Sequence, residues 1–592
     1  MTFFLSKKNT AIGIIVAGIL LIGVCIFLCM GGLAGTMHQG PVHVRILAVN
    51  DFHGHLYEGQ QLNNRSAGSA PVLAAYLKSA MNSSGTNETI LALLGDTIGG
   101  SPRNTSLLMD EPSVLFFNMF TDPDCLVGDA GRHDRCNVIA IPGNHEFNRG
   151  TGELLRMVYG GNGNTTVPHI VDPYPGTEAD YICANVIWME NGTPVFPPYT
   201  IRKVNGTRIG FIGAVTTETT GLEFPENIRD VTILNESEAI NRYVPVLQEQ
   251  GVHAIVVLLH NGGRQDPYEG STRDGGNVTG PVTSIVGRLD PDVDVVLSAH
   301  AHGFTNAFIP NSGNKPVLVT QAYAYGVAYA DVALGIDPAS DEIVTKSARI
   351  VPVYADQSLE TVPDPGAETI VENAKTAVDT LTTQVICTSV ENITRAANPA
   401  GESALGDLVA DSERAATGAD VAFVVAGDTP GGLHADLYQG NITWADLEAV
   451  LPADASIGAE YGGWYSRPHI STRNLTGEQI KGILERQWMT PAPNGTLSVS
   501  GLVYTYDPSR PAGDKVTKII IGNKPIDANA TYRAAMNYYM AYGMGGEYSP
   551  SWDPSVTVSL GPEDIHAFIS YIRSMPAPLD VQTDGRVVRL TG

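Results

Sequence analysis

The chain has 592 residues, 43% of them hydrophobic, and a formal charge of −26. That length exceeds a single hydrophobic core and implies about two to four domains. Ordinary hydrophobic content excludes wholesale disorder, and the negative charge excludes a protein that coats nucleic acid through a basic footprint. It does not exclude an anionic substrate, because bound divalent cations can dominate a local field.

Residues 11–34 form an apolar run, AIGIIVAGILLIGVCIFL at its core, preceded by Lys7 and Lys8. That length predicts a transmembrane anchor behind a short cytoplasmic segment, 1–10, with the rest of the chain outside a cell membrane; secretion after signal cleavage is the alternative. N-x-S/T sequons at Asn64, Asn87, Asn164, Asn205, Asn277, Asn392, Asn474 and Asn529 agree with an extracellular glycoprotein. Outside the apolar run stand Cys125, Cys136, Cys183 and Cys387, compatible with two disulfides or with free thiols. Cys125 and Cys136 bracket a Gly/Asp-rich loop and are candidates to pair.

From Val44 to about Ile350, short apolar runs alternate with helical patterns. Residues 44–49, 89–94, 137–141, 208–213, 254–259 and 293–299 read as buried strands, with helices at 72–81 and 238–250 between them. This rhythm is α/β layering. An extended stretch, 351–366, leads into a polar-faced connector helix over 367–385. A second α/β unit follows, with helices at 404–416, 443–450, 476–488 and 562–574 and strands at 420–425, 501–506, 516–521 and 532–536.

Five of the early strands run into residues of metal-ligand type: Asp51 and His53, Asp96, Asn144 and His145, His260, and His300 and His302. Ligands of open α/β sheets gather beyond the carboxyl ends of strands, so neighbouring strands would deliver these groups to one crevice. Imidazole with carboxylate and amide oxygens suits Zn, Mn, Fe, Co or Ni, and no cysteine takes part. One carboxylate bridging two such ions fits displacement at phosphorus.

The blocks NDFHGHL, LGDTIGG, PGNHEFN, LLHNGG and SAHAH resemble, in order, those of the calcineurin-like metallophosphoesterases. With the second unit, the chain resembles the 5′-nucleotidase family over roughly 44–575. The resemblance implies an N-terminal four-layer α/β/β/α sandwich over 42–355, a linker helix in 356–386, a C-terminal α/β substrate-binding domain over 387–578 and a tail to residue 592. It implies one metal on Asp51, His53, Asp96 and His302, and a second on Asp96, Asn144, His260 and His300. His145 would stabilise the transition state or protonate the leaving oxygen. Relatives usually carry Asp where this chain has Asn148; an amide still orients an imidazole but supplies no charge, which predicts a slower or differently pH-dependent step.

The family's nucleoside clamp is eroded. His434 stands where Arg is usual, Ala453 where a stacking Phe is usual, and Tyr539 and Glu547 are the residues left to stack a base and hold a ribose. The expected activity is a dinuclear-metal hydrolase of a small phosphate ester, a nucleotide in the first instance, with no nucleic-acid polymer as partner. Cyclic-nucleotide and nucleotide-sugar hydrolysis are in-class alternatives. A non-catalytic surface binding protein with a vestigial metal site is the alternative from another class.

Overall fold

The computed structural model describes residues 40–83, 89–122, 125, 136–163, 167–274, 277–356, 362–427, 431–452, 469–489, 495–541, 548 and 557–590. Two sheets form the N-terminal part. The first runs Ile343–Pro352, Ala328–Ile336, Val42–Val49, Thr89–Leu93, Val138–Ala140 and Asp180–Tyr181, the last four strands mutually parallel. In the second, Pro316–Ala322, Val295–Ser298, Ala254–His260 and Thr207–Val215 are parallel neighbours flanked by antiparallel strands.

The runs are nearly all apolar because both faces of these strands are covered. Ile46, Ala92 and Ile139 of the first sheet meet Phe211, Val256 and Leu297 of the second in one core. Outside the first sheet, Leu47 and Leu91 pack beneath Leu73 and Leu77 of helix Ala70–Ser83. Outside the second, Val257 and Val296 pack beneath Ile240, Val244 and Leu247 of helix Glu236–Glu249, whose first turn is capped by the Asn235 side chain. The result is the four-layer α/β/β/α sandwich.

The C-terminal part is built on the five strands Thr496–Ser500, Val421–Ala426, Thr531–Asn537, His469–Thr476 and Ser559–Glu563. Strand Val421–Ala426 shows the period of two. Ala422, Val424 and Ala426 join the core under helices Ala404–Thr417 and Asp564–Ser574, while Val421, Phe423 and Val425 face the opposite core.

Helix Pro365–Thr382 joins the two parts, and each half belongs to a different core. Ala367 is buried with the N-terminal helices, whereas Ala374, Val378 and Leu381 are buried with the C-terminal ones. Leu107 and Leu108 reach into the C-terminal core too.

Two expectations are corrected. Among the described residues no helix is long and apolar enough to cross a membrane. The longest of them, Pro365–Thr382, carries Glu368, Glu372, Lys375 and Asp379. The apolar run 11–34 lies outside the described residues. The transmembrane anchor, the membrane partner and the cell-membrane location read from the sequence are therefore withdrawn. Cys125 and Cys136 form a disulfide, but Cys183 and Cys387 do not pair. Cys183 is buried, with its thiol directed at Asn185, and Cys387 lies on strand Val385–Ser389 beyond the connector helix.

Candidate metal centre

All seven predicted ligands sit just past, or at the last residue of, parallel strands of the two facing sheets. Asp51 and His53 follow Val42–Val49, Asp96 follows Thr89–Leu93, and Asn144 follows Val138–Ala140. His260 ends Ala254–His260, and His300 and His302 follow Val295–Ser298. The strands stop where the chain turns sharply. Asp51, His53, Asp96, His300 and His302 all adopt positive φ, between 48° and 72°. Such backbone is unfavourable for residues with a Cβ and is held only where surroundings enforce it, commonly at functional sites.

Asp51, His53, Asp96 and His302 bring ligand atoms within 4.8 Å of one another, and so do Asp96, His260 and His300. Asp96 belongs to both groups. Gly143 packs against it so closely that a Cβ there would collide with the Asp96 carboxylate and with the His260 ring.

The hydrogen bonds set the histidine tautomers. His53 Nδ1 donates to the Gly99 carbonyl at 2.7 Å, leaving Nε2 as the inward acceptor, 3.1 Å from His302 Nε2 and 3.5 Å from Asp96 Oδ2. His260 Nδ1 donates to the Leu94 carbonyl at 2.8 Å, so its Nε2 faces Asp96 Oδ2 and Asn144 Oδ1, each at 3.2 Å. Lone pairs thus face lone pairs, an arrangement that only a proton or a cation between them makes favourable. Backbone N–H groups steady both carboxylates: His145 donates to Asp96 Oδ1 at 2.9 Å, and His300 to Asp51 Oδ1 at 2.9 Å. The donor set of imidazole, carboxylate and amide oxygen therefore fits borderline divalent ions.

The electrostatics reflect this crowding. Burial opposes ionisation of Asp96, yet the neighbouring His260 and His145 hold it well below the usual carboxylate range. Burial likewise opposes charge on His260, but the Asp96 carboxylate outweighs it and lifts that imidazole to about 9. Burial pulls His53 down strongly.

His145 is half-buried, its ring 4.9 Å from that of His53. Its Nδ1 donates to Asn148 Oδ1 at 2.9 Å. Two carboxylates that carry no signal in the sequence support this end of the site. Glu146 is buried and accepts the backbone N–H groups of Asp96 and Thr97 at 2.8 Å and of Gly143 at 2.5 Å, tying two ligand loops together. Burial and then the Asp96 charge push its carboxyl up to about 7. Glu223 Oε1 accepts from Asn148 Nδ2 at 2.9 Å. Glu218, from the same loop, lies 3.1 Å from His300 Nε2.

Of the predicted nucleoside residues, Tyr539 and His434 lie among the described residues. Tyr539 is buried, 4% exposed, its ring 4.0 Å from that of Tyr538. His434 is half-buried and its backbone N–H donates to the Val450 carbonyl. Ala453 and Glu547 lie outside the described residues. The C-terminal part does touch the metal-site loops: Phe224 meets Tyr538 edge-on at 4.9 Å, and Arg103 is ion-paired with Glu448.

Comparison with known proteins agrees with this architecture. Residues 44–304 match the calcineurin-like phosphoesterase family, and residues 378–550 match the 5′-nucleotidase C-terminal domain. The chain is 31% identical over 559 residues to endonuclease YhcR of Bacillus subtilis, covering 93% of this chain but only 41% of that protein's length. It is 29% identical over 598 residues to cell wall protein Lmo0130 of Listeria monocytogenes, covering 94% of this chain and 70% of that one. The NAD nucleotidase structure from Haemophilus influenzae superposes with a TM-score of 0.51 at 19% identity, over 93% of this chain and 100% of that one, which is a likeness of fold. The chain belongs to the 5′-nucleotidase family, a calcineurin-like phosphoesterase domain followed by a 5′-nucleotidase C-terminal domain.

Proposed function

We propose that the chain is a dinuclear-metal hydrolase of small phosphate esters, nucleotides foremost. The observation that carries this reading is the acceptor-to-acceptor convergence on Asp96, with His53 and His260 each fixed in the tautomer that turns Nε2 inward. Asp51, His53, Asp96 and His302 would hold one ion, and Asp96, Asn144, His260 and His300 the other. Two divalent ions bound there would acidify a water molecule and neutralise the phosphate oxygens.

The remaining chemistry belongs to the chain. Asp96 is kept ionised chiefly by the neighbouring His260 and is held in place by the His145 N–H, and the Glu146 clamp keeps the Asp96 and Asn144 loops at fixed separation. His145, with its Nδ1–H held by Asn148 Oδ1, takes up a second proton on Nε2 as imidazolium and passes it from Nε2 to the leaving oxygen, returning to the neutral Nδ1–H ring. His434 and Glu547 are the C-terminal candidates for contact with a nucleoside leaving group.

The test is turnover by purified, metal-analysed protein on p-nitrophenyl phosphate, bis-p-nitrophenyl phosphate, nucleoside 5′-monophosphates and 2′,3′-cyclic nucleotides. Metal-dependent release of phosphate from a nucleotide supports the reading; no turnover of any of them removes it. A second reading, cleavage of nucleic-acid strands, draws on the similarity to a protein named an endonuclease. The charge of −26 disfavours it, and single-stranded DNA and RNA in the same panel decide between the two.

A further inference from the structure

We propose that Glu223 is a positioning residue for His145, acting through the side-chain amide of Asn148. The proposal rests on the reading of His145 as the proton-delivering group and explains how this chain orients that histidine with an amide beside it.

The three side chains form one line. Glu223 Oε1 accepts from Asn148 Nδ2 at 2.9 Å, and Asn148 Oδ1 accepts from His145 Nδ1 at 2.9 Å. Asn148 is 7% exposed and Glu223 5% exposed, so water does not compete for either amide end. The two ends of an asparagine amide are nearly the same shape, and partners alone decide which way it points. A carboxyl oxygen that carries no proton only accepts, so Oε1 takes the NH2 end. The carbonyl end is then left for the imidazole, and because that oxygen only accepts, Nδ1 must carry the proton. Nε2 is the atom left facing the site. Reversed, the amide would offer a donor to Nδ1 and keep a proton off it, so the imidazolium that gives up its Nε2 proton could not form.

The rest of the surroundings fix the line at both ends. Asn227 Nδ2 donates to the Asn148 carbonyl at 2.7 Å, which holds the main chain. Glu223 sits on the loop after strand Thr207–Val215, and its neighbour Phe224 packs against Tyr538 of the C-terminal part. Burial pushes the Glu223 carboxyl up to about 8. A glutamine or leucine would avoid that burden on the fold, so the carboxyl group's place here calls for a function. An aspartate at position 148 would meet Nδ1 directly with a carboxylate; here Asn148 supplies the acceptor and the Glu223 carboxyl orients it.

The experiment compares Glu223→Leu, Glu223→Met, Asn148→Asp and the double variant Asn148→Asp with Glu223→Leu against wild type. Two readouts are taken: kcat and KM on p-nitrophenyl phosphate, and the tautomer of His145 from two-bond nitrogen–proton spectra of protein labelled at histidine nitrogens. We expect Glu223→Leu to lower kcat by about tenfold or more with KM within about twofold. In the spectra, a single Nδ1–H form becomes a mixture. The double variant is expected to return both readouts toward wild type, because the carboxylate introduced at position 148 then meets Nδ1 directly; a merely structural role for Glu223 gives no such rescue. Should Glu223→Leu fail to fold, Glu223→Met is judged by the same two readouts. A single Nδ1–H tautomer together with wild-type kcat in the folded variant overturns the proposal. An inactive wild type would instead defeat the hydrolase reading, while the tautomer measurement still decides the role of Glu223.

Discussion

His53 Nε2 and His302 Nε2 lie 3.1 Å apart, with Asp96 and Asp51 oxygens at 3.5 and 3.6 Å from them. Since His53 Nδ1 donates its proton to the Gly99 carbonyl, its Nε2 is left as an acceptor facing His302 Nε2 and the Asp96 carboxylate. Chelation of divalent ions is expected to abolish phosphoesterase activity and lower the thermal midpoint, and Zn, Mn or Co to restore both. Calorimetry with and without chelator checks this; an unchanged midpoint would separate these residues from metal binding.

Asp96 shares its Oδ2 between His53 and His260 and its Oδ1 with the His145 N–H. Asp96→Asn keeps the shape but removes the charge that both groups of ligands use. Loss of several kcal/mol of stabilisation corresponds to about a thousandfold or more in kcat. Bound metal is expected to fall from about two ions per chain to one or fewer, as measured by elemental analysis of dialysed protein.

Glu223 makes stability depend on pH. Its folded carboxyl lies near 8 instead of the ordinary 4.5, chiefly because it is buried. A raised acid favours the folded state while protonated, so this contribution is whole below about 4.5 and is lost as pH rises to about 8. Glu223→Gln has no such titration. The variant is therefore expected to gain on wild type by a few kcal/mol, on the order of 2–5, between those limits. Denaturation at pH 4.5 and pH 8.5 measures it, and a pH-independent difference would place the Glu223 carboxyl in water.

Tyr539 reads in the sequence as a base-stacking residue, but it is 4% exposed and lies against Tyr538. Truncating a buried aromatic ring costs about 3–5 kcal/mol. Tyr539→Ala is expected to lower the stability by that amount, with any effect on KM following from it. A variant of wild-type stability and raised KM would restore the stacking role.

The candidate metal centre is legible because each proposed ligand sits at or just past the end of an apolar strand, and a run that stops on Asp, His or Asn is a local signal. The remaining strand of that pattern, 208–213, is equally visible, but its polar end is not: Glu218 and Glu223 lie past Thr216 and Thr217 and reach the site only through the turn Thr219–Leu222. Glu146 is hidden by its neighbours, since a carboxylate that binds backbone N–H groups leaves no trace in residue spacing. The edge strand Ile343–Pro352 likewise escapes notice, because an antiparallel strand with one open face carries mixed polar and apolar residues. The nucleoside residues rest on family pattern alone, and pattern does not report burial.

Helix Pro365–Thr382 reads in the sequence as a polar-faced connector between two parts. In the structure Ala367 is packed in the N-terminal core and Ala374, Val378 and Leu381 in the C-terminal one, so rotation about this helix would open apolar surface on one side. Leu107 and Leu108 lie in the same C-terminal core, and the Arg103–Glu448 pair closes the seam nearby. The two parts are then expected to unfold as one cooperative unit. Leu381→Ala removes a side chain that is 7% exposed and is expected to lower the stability of the whole by about 2–5 kcal/mol. The transition should move without splitting, because each core needs the helix that the other also holds. Two resolved transitions in calorimetry, only one of them shifted by Leu381→Ala, would show instead that the parts fold independently and are free to turn on the connector.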